Sequence, residues 1–232
     1  MHSDHSTLIL IPARKGSKGI PNKNLAILGG KPLVSHTINT ALQAKLPARI
    51  CLSTDSLTIR DLGLTLGVEA PFLRPDELAL DESPMLPTIN HALTWYEVNE
   101  SFHPNVVVLL QPTSPFLSVE SLTNAYQNFV KQDKDCLISV NLVKEHPSEY
   151  ITTASAGFNY VMDPPSNPGR QFSRKVFFIN GAIYITKTTF IKKTNKIYDR
   201  NALIFEMPQS ESLDINDPDD LDYANYLYHK RF

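Results

Sequence analysis

Apolar residues along this chain follow two patterns. Leu8–Ile11, Ile50–Ser53, Val106–Leu110, Cys136–Val140, Gly181–Ile185 and Ala202–Phe205 are short, nearly continuous apolar runs, which predict strands buried on both faces. Between them the apolar positions recur at helical spacing. Val34, Ile38, Ala41 and Leu42 share one face, as do Leu86, Ile89, Leu93 and Tyr96, then Val119, Leu122, Tyr126 and Phe129. A final helical stretch runs through Leu221, Ala224 and Leu227. Strands alternating with helices predict an α/β fold, a three-layer arrangement with a mostly parallel sheet and helices on both faces. Ligands in such sheets sit beyond the carboxyl ends of the strands. The segment after each strand is therefore the place to look for chemistry.

One stretch breaks the alternation. Residues 157–174 read GFNYVMDPPSNPGRQFSR, with Pro164, Pro165 and Pro168 close together. Proline cannot serve inside a central strand. This predicts an excursion around residues 147–177 from a single domain spanning 1–232.

Composition narrows the function classes. Of 232 residues, 42% are apolar, enough for one sizeable core at this length. The 24 acidic and 22 basic residues give a net charge of −2, which argues against a nucleic-acid partner. No apolar run approaches the ~20 residues of a membrane span, so no membrane association is expected. The polar start MHSDHS leads into an apolar run too short for a signal peptide. Cys51 and Cys136 are too few for a disulfide scaffold and each lies in an apolar run, as expected of a cytoplasmic protein.

The loop after the first strand carries the strongest chemical signal. In ILIPARKGSKGIPNKN, Arg14, Lys15, Lys18 and Lys23 place four positive charges within ten residues. Gly16 and Gly19 allow close backbone approach to a ligand. Fixed amide donors combined with Lys and Arg suit a triphosphate. The patterns G-x-x-x-x-G-K-[ST] and G-x-G-x-x-G are both absent, which removes the main support for a P-loop NTPase or a dinucleotide-dependent dehydrogenase. No Ser-His-Asp or Cys-His arrangement stands out. His146, in a loop before Pro147, is a candidate for lining a site.

The same loop, ARKGSKGIPNKN, closely resembles the first signature of the CMP-sugar synthetases, the N-acylneuraminate cytidylyltransferases and their relatives for other nonulosonic acids. The resemblance continues in order along nearly the whole chain. It takes in LSTDS at Leu52–Ser56, RPDELALD at Arg74–Asp81, LLQPTSP at Leu109–Pro115, Arg170–Gln171, NGAIYI at Asn180–Ile185 and SLDINDPDDL at Ser212–Leu221.

The resemblance implies a nucleotide-diphospho-sugar transferase-like fold and a transfer of CMP from CTP to the anomeric hydroxyl of a sialic-acid-like sugar acid, releasing pyrophosphate, with magnesium. No enzyme nucleophile is involved, so catalysis is positioning and charge stabilisation. It implies that Arg14, Gly16, Ser17, Lys18, Lys23 and Asn24 bind CTP, with Arg14, Lys18, Lys23 and Asp214 catalytic. Gln111, Arg170, Gln171, Asn180, Tyr184 and Asp81 are implied on the sugar side, and Asp214 and Asn216 at the metal. It further implies a homodimer in which the 147–177 excursion forms much of the contact.

Two positions depart from the family pattern. The usual second metal carboxylate is an amide, Asn216, followed directly by Asp217. Asp217-Pro218-Asp219-Asp220 reads better as a helix start, with Asp217 as the N-cap, than as a displaced ligand. Leu117 stands where the family often carries Arg, and Ser118 is the expected cap of the helix that follows. The rival readings are the same chemistry on an eight-carbon acid of the 3-deoxy-manno-octulosonate type, or a nucleotide- or sugar-binding protein without turnover. The amide at Asn216 is the one feature that favours the latter.

Overall fold

The computed structural model describes residues 6–163 and 175–231. In chain order the elements begin with β1 (Thr7–Pro12), the short pair β2 (Ile27–Leu28) and β3 (Lys31–Pro32), and α1 (Leu33–Gln43). Next come β4 (Ala48–Ser53), α2 (Leu57–Leu66), α3 (Met85–Glu100), β5 (Val106–Leu110), α4 (Val119–Gln132) and β6 (Cys136–Leu142). A small hairpin, β7 (Ile151–Thr153) and β8 (Phe158–Tyr160), precedes β9 (Phe177–Lys187), α5 (Thr188–Thr194), β10 (Leu203–Glu206) and α6 (Pro218–Arg231).

Six strands form the central sheet in the order β10-β6-β9-β5-β1-β4. The pairs β1–β4, β1–β5 and β10–β6 are parallel. Only β9 runs the other way, antiparallel to both β5 and β6. The mostly parallel sheet expected from the apolar runs is present, with one reversed strand near its middle. Strand polarity leaves no trace in a run such as GAIYI, which is buried on both faces either way.

The pleat divides each strand between two cores. On one face Ile9, Ile11, Val108 and Leu110 pack against α1 and α4 through Val34, Ile38, Leu122 and Phe129. On the other, Leu8, Leu10, Val107 and Leu109 pack against α3 and α5 through Ile89, Leu93, Tyr96 and Ile191. Ala202–Phe205 departs from the expected fully buried strand. As β10 it forms the sheet edge, and Ile204 is 55% exposed. A third, smaller cluster joins Ile20, Leu28, Leu33, Phe116, Ile215 and Ala224. It fastens α6 and the segment before it to the loop after β1.

The expected caps form. Ser118 Oγ accepts from Ser121 N–H at 3.0 Å. Asp217 Oδ1 accepts from Asp220 N–H at 2.9 Å, while Asp220 Oδ2 accepts from the Asn216 and Asp217 N–H groups at 2.8 and 3.3 Å. Asp217 and Asp220 thus make a reciprocal capping box at the start of α6. Leu117, in place of the family's Arg, is buried in the core at 4% exposure. No helix of the described residues is long and apolar enough to cross a membrane.

Candidate active site

Three loops leave the carboxyl ends of β1, β5 and β10 and meet on one side of the sheet. They are joined at Ile215. Its backbone N–H donates to Thr113 O at 2.8 Å, and its carbonyl accepts from Lys23 Nζ at 2.9 Å. Its side chain is fully buried in the third cluster, a burial worth ~1.5–3 kcal/mol. One residue therefore fixes the loop after β1, the QPTSP turn and the Asp214 segment against each other.

Between them lies a cavity of about 220 Å³. Arg14, Gly16, Ser17, Lys23, Asn24, Gln111, Asp214 and Asn216 line it, bringing together eight of the residues expected from the sequence. Pro12, Arg74, Met85, Pro112 and Thr113 complete the wall. Three cationic side chains, Arg14, Lys23 and Arg74, face one carboxylate, Asp214. That excess suits a polyanion.

Each charged group is set by its neighbours. Burial lowers the Lys23 ammonium from its usual range, against the opposing pull of Asp214, and Arg14 lowers it further. Burial holds the Arg74 guanidinium down to about 10. Arg74 is 4% exposed and donates to Ser53 Oγ at 3.1 Å and to Ser53 O at 2.5 Å. Asn24 is buried and donates through Nδ2 to Arg14 O at 2.8 Å, bracing the loop from within. Asn216 Nδ2 donates to Asp214 Oδ2 at 2.9 Å, which ties the two side chains together at the cavity wall.

Other expected site residues stand apart from this cavity. Lys18 is exposed, 3.8 Å from Glu82. Asp81 forms a 2.6 Å ion pair with Arg14, so it holds the loop to residues 76–83. Asn180 is 3% exposed, with its amide engaged by protein groups: Oδ1 accepts from Ser139 Oγ at 2.6 Å, and Nδ2 donates to Ser212 Oγ at 3.1 Å. Tyr184 is half-buried against the α3 core and stacks on Tyr198 with ring centres 5.7 Å apart. Arg170 and Gln171 lie outside the described residues. His146 caps a short turn, its Nδ1 meeting Ser148 Oγ at 2.8 Å. Gly19 does not face the cavity. A Cβ there would lie 2.1 Å from Asn216 O, so its lack of a side chain serves loop-to-loop contact rather than ligand approach.

Sequence reasoning passed over Arg74 and Met85. Arg74 opens the RPDELALD segment, and that segment's resemblance is the signal that marks it. Met85 also lines a second, 530 Å³ cavity with Leu86, Asn90, Ile197 and Tyr198, and so forms the wall between the two.

A family model described as cytidylyltransferase matches residues 8–232. The chain is 34% identical over 216 residues to the CMP-N,N'-diacetyllegionaminic acid synthase of Legionella pneumophila, covering 92% of each protein. It is 31% identical over 216 residues to the N-acylneuraminate cytidylyltransferase of Streptococcus agalactiae serotype V, covering 92% of this chain and 51% of that protein. The chain thus spans about half the length of that relative. Among solved structures, a CMP:2-keto-3-deoxy-manno-octonic acid synthetase complexed with CTP superposes with a TM-score of 0.72 at 17% identity, covering 98% of this chain and all of that one.

Proposed function

This chain belongs to the cytidylyltransferase family, and we propose that it transfers CMP from CTP to the anomeric hydroxyl of a nonulosonic acid, releasing pyrophosphate. The observation that carries this reading is the convergence of Arg14, Lys23, Gln111 and Asp214 on one cavity at the carboxyl ends of the strands. The relatives named for legionaminic and N-acylneuraminic acids favour a nine-carbon acid.

In this reading the anomeric oxygen attacks the α-phosphorus. A sugar O–P bond forms, the P–O bond to the β-phosphate breaks, the pyrophosphate carries away that electron pair, and the hydroxyl proton is released. The protein's part is positioning and charge neutralisation. Arg14 and Lys23 meet the triphosphate oxygens, and Arg14 gives up Asp81 to do so. The Lys23 ammonium, disfavoured by burial in the free chain, is restored by the phosphate charge. Gly16 and Ser17 lie where backbone N–H groups can supplement them. Gln111, with both donor and acceptor atoms, is placed for the sugar acid. The space beyond Met85 has room for its substituents.

Asp214 and Asn216 are a suitable oxygen-donor pair for magnesium, which commonly uses one or two carboxylates with substrate phosphates. When bound, the ion would neutralise phosphate charge. The Asp217 carboxylate, committed to the α6 cap, is not needed for that role.

We place a second copy of the chain against the β7–β8 hairpin. Tyr150, Ile151, Phe158, Tyr160, Val161 and Met162 are each 44–61% exposed there, more apolar surface than a solitary hairpin is expected to leave open. Sedimentation of the parent and of Phe158→Glu tests this: a dimer that becomes a monomer is expected.

The activity is tested by pyrophosphate release from CTP and magnesium with a panel of sugar acids. Turnover with a nine-carbon acid and little with the eight-carbon acid is expected. CTP binding without turnover on any acid would overturn the transferase reading.

A further inference from the structure

The β6–β9 register breaks around Asn180. Ile138 pairs with Tyr184 and Val140 with Ile179, so four residues of β9, from Asn180 to Ile183, stand opposite Ser139 alone. On the other side β5 ends its pairing at Leu110–Ile183, one residue before Gln111. The bulge therefore lies beside Gln111, under the cavity. Two buried side chains satisfy its loose backbone groups. Asn180 Oδ1 accepts from Ala182 N–H at 3.2 Å, and Ser139 Oγ accepts from Ile183 N–H at 2.8 Å. Gly181, at φ +75°, turns toward Gln111, and a Cβ there would sit 3.7–3.8 Å from the Gln111 amide atoms.

The same Asn180 amide reaches in the opposite direction. Its Nδ2 donates to Ser212 Oγ at 3.1 Å and approaches Met207 Sδ at 3.5 Å. Ser212 in turn donates to Pro208 O at 2.9 Å. Ser212 lies two residues before Asp214. One buried amide thus bonds both to the bulge beneath Gln111 and to the segment that presents Asp214.

We propose that Asn180 is a positioning residue that sets Gln111 and the Asp214 segment relative to one another, acting from below the cavity without touching substrate. This deepens the transferase reading and rests on it. Asn180→Asp keeps the acceptor for Ala182 and Ser139, removes the Nδ2 donor shared by Ser212 and Met207 Sδ, and adds a buried carboxylate, so it is read together with Ser212→Ala. Ser212→Ala removes the same bond without adding a charge and also gives up the Ser212 bond to Pro208 O.

The experiment combines steady-state kinetics of both variants and the double variant with hydrogen exchange of the free chain. Each single variant is expected to lower kcat about tenfold, the effect of one lost hydrogen bond, with the Michaelis constants for CTP and sugar acid little changed. The double variant is expected to be no worse than either single. Exchange should quicken at the amides of 212–217, including Ile215 N–H, and stay unchanged in β1. A raised sugar-acid constant for Asn180→Asp alone, with unaltered exchange, would show direct contact and overturn the proposal. Exchange quickened equally in β1 would show a general loss of stability and overturn it too. If no acid is turned over even by the parent, the transferase reading fails, while the exchange pattern still decides whether Asn180 fixes the Asp214 segment.

Discussion

Gly19 and Asn216 lie backbone against backbone: a Cβ added to Gly19 would sit 2.1 Å from the Asn216 carbonyl oxygen. Neither atom belongs to a flexible side chain, so the loops themselves would have to part. Gly16, three residues earlier and on the cavity wall, has nothing within 4 Å of such a Cβ. Gly19→Ala is expected to lower kcat/KM at least about tenfold and to cost ~1–3 kcal/mol of stability, within the range of overpacking. Gly16→Ala should melt like the parent. Thermal melts and initial rates on the pair check this, and a Gly19→Ala variant as stable and active as the parent would rule out the clamp.

Lys23 is the cavity cation best placed to report on the triphosphate. Lys23→Ala should leave the fold intact and reduce kcat/KM for CTP about 10- to 150-fold, matching ~1.5–3 kcal/mol for a hydrogen bond to a charged group. A pH effect follows from the direction of its shift. Burial lowers the Lys23 pKa below 10.5 in the free chain, and a bound triphosphate raises it. Binding therefore takes up a proton between the two values. CTP affinity is full below the free-chain value and falls as pH rises through it. Calorimetry across alkaline pH should show this fall in the parent and not in Lys23→Met.

The capping box separates two acids that are three residues apart. Asp217→Ala should cost ~0.5–2 kcal/mol, the usual loss for a cap, and leave the magnesium requirement unchanged. Asp214→Ala should abolish turnover at any practical magnesium concentration while melting near the parent. Asn216→Asp should bind magnesium as tightly or more tightly. A magnesium titration with melting curves decides among these. An Asp217 variant that melts normally but needs far more magnesium would reassign that carboxylate to the ion.

Away from the cavity, Arg49 joins Glu69 and Glu100 with contacts of 2.5 Å and lies 4.6 Å over the Tyr96 ring. Burial pushes the Glu69 carboxyl up, but hydrogen bonds from Arg49 and Tyr96 outweigh it and hold its pKa below the usual glutamate value of 4.5. A depressed carboxylate contributes stability that is present above about 4.5 and lost as pH falls through the folded value. The urea midpoint of the parent should drop between pH 5 and pH 3. Arg49→Met should be less stable at pH 5 and show a shallower drop.

The parts of this fold legible in sequence were those with local signatures. Leu8–Ile11 and Val106–Leu110 announce buried strands, Asp217-Pro218 announces a helix start, and the cations after β1 single out a loop that lines the cavity. Long-range partners leave no such mark. Nothing in NGAIYI shows that Asn180 faces Ser139 and Ser212 rather than a ligand, because the bulge that turns it inward arises from pairing with β6. Asp81 reads equally well as a sugar contact or a loop tie, and its 2.6 Å ion pair with Arg14 in the free chain joins residues 67 positions apart. Ile215, the joint of three loops, is one apolar residue among acids, and its importance follows only from what surrounds it.

The reversed strand also orders events during synthesis and refolding. β4, β1 and β5 can pair once residue 110 has emerged, but β5 and β6 are never neighbours in the finished sheet. They are joined only when residues 177–187 slot between them, so the two halves of the sheet wait on a strand made late in the chain. Such distant pairing is slow because the loop must close before any contact rewards it. The bulge beneath Gln111 is part of that same strand. Recovery of activity after dilution from denaturant should therefore track the last and slowest phase of sheet formation, with no active species before it.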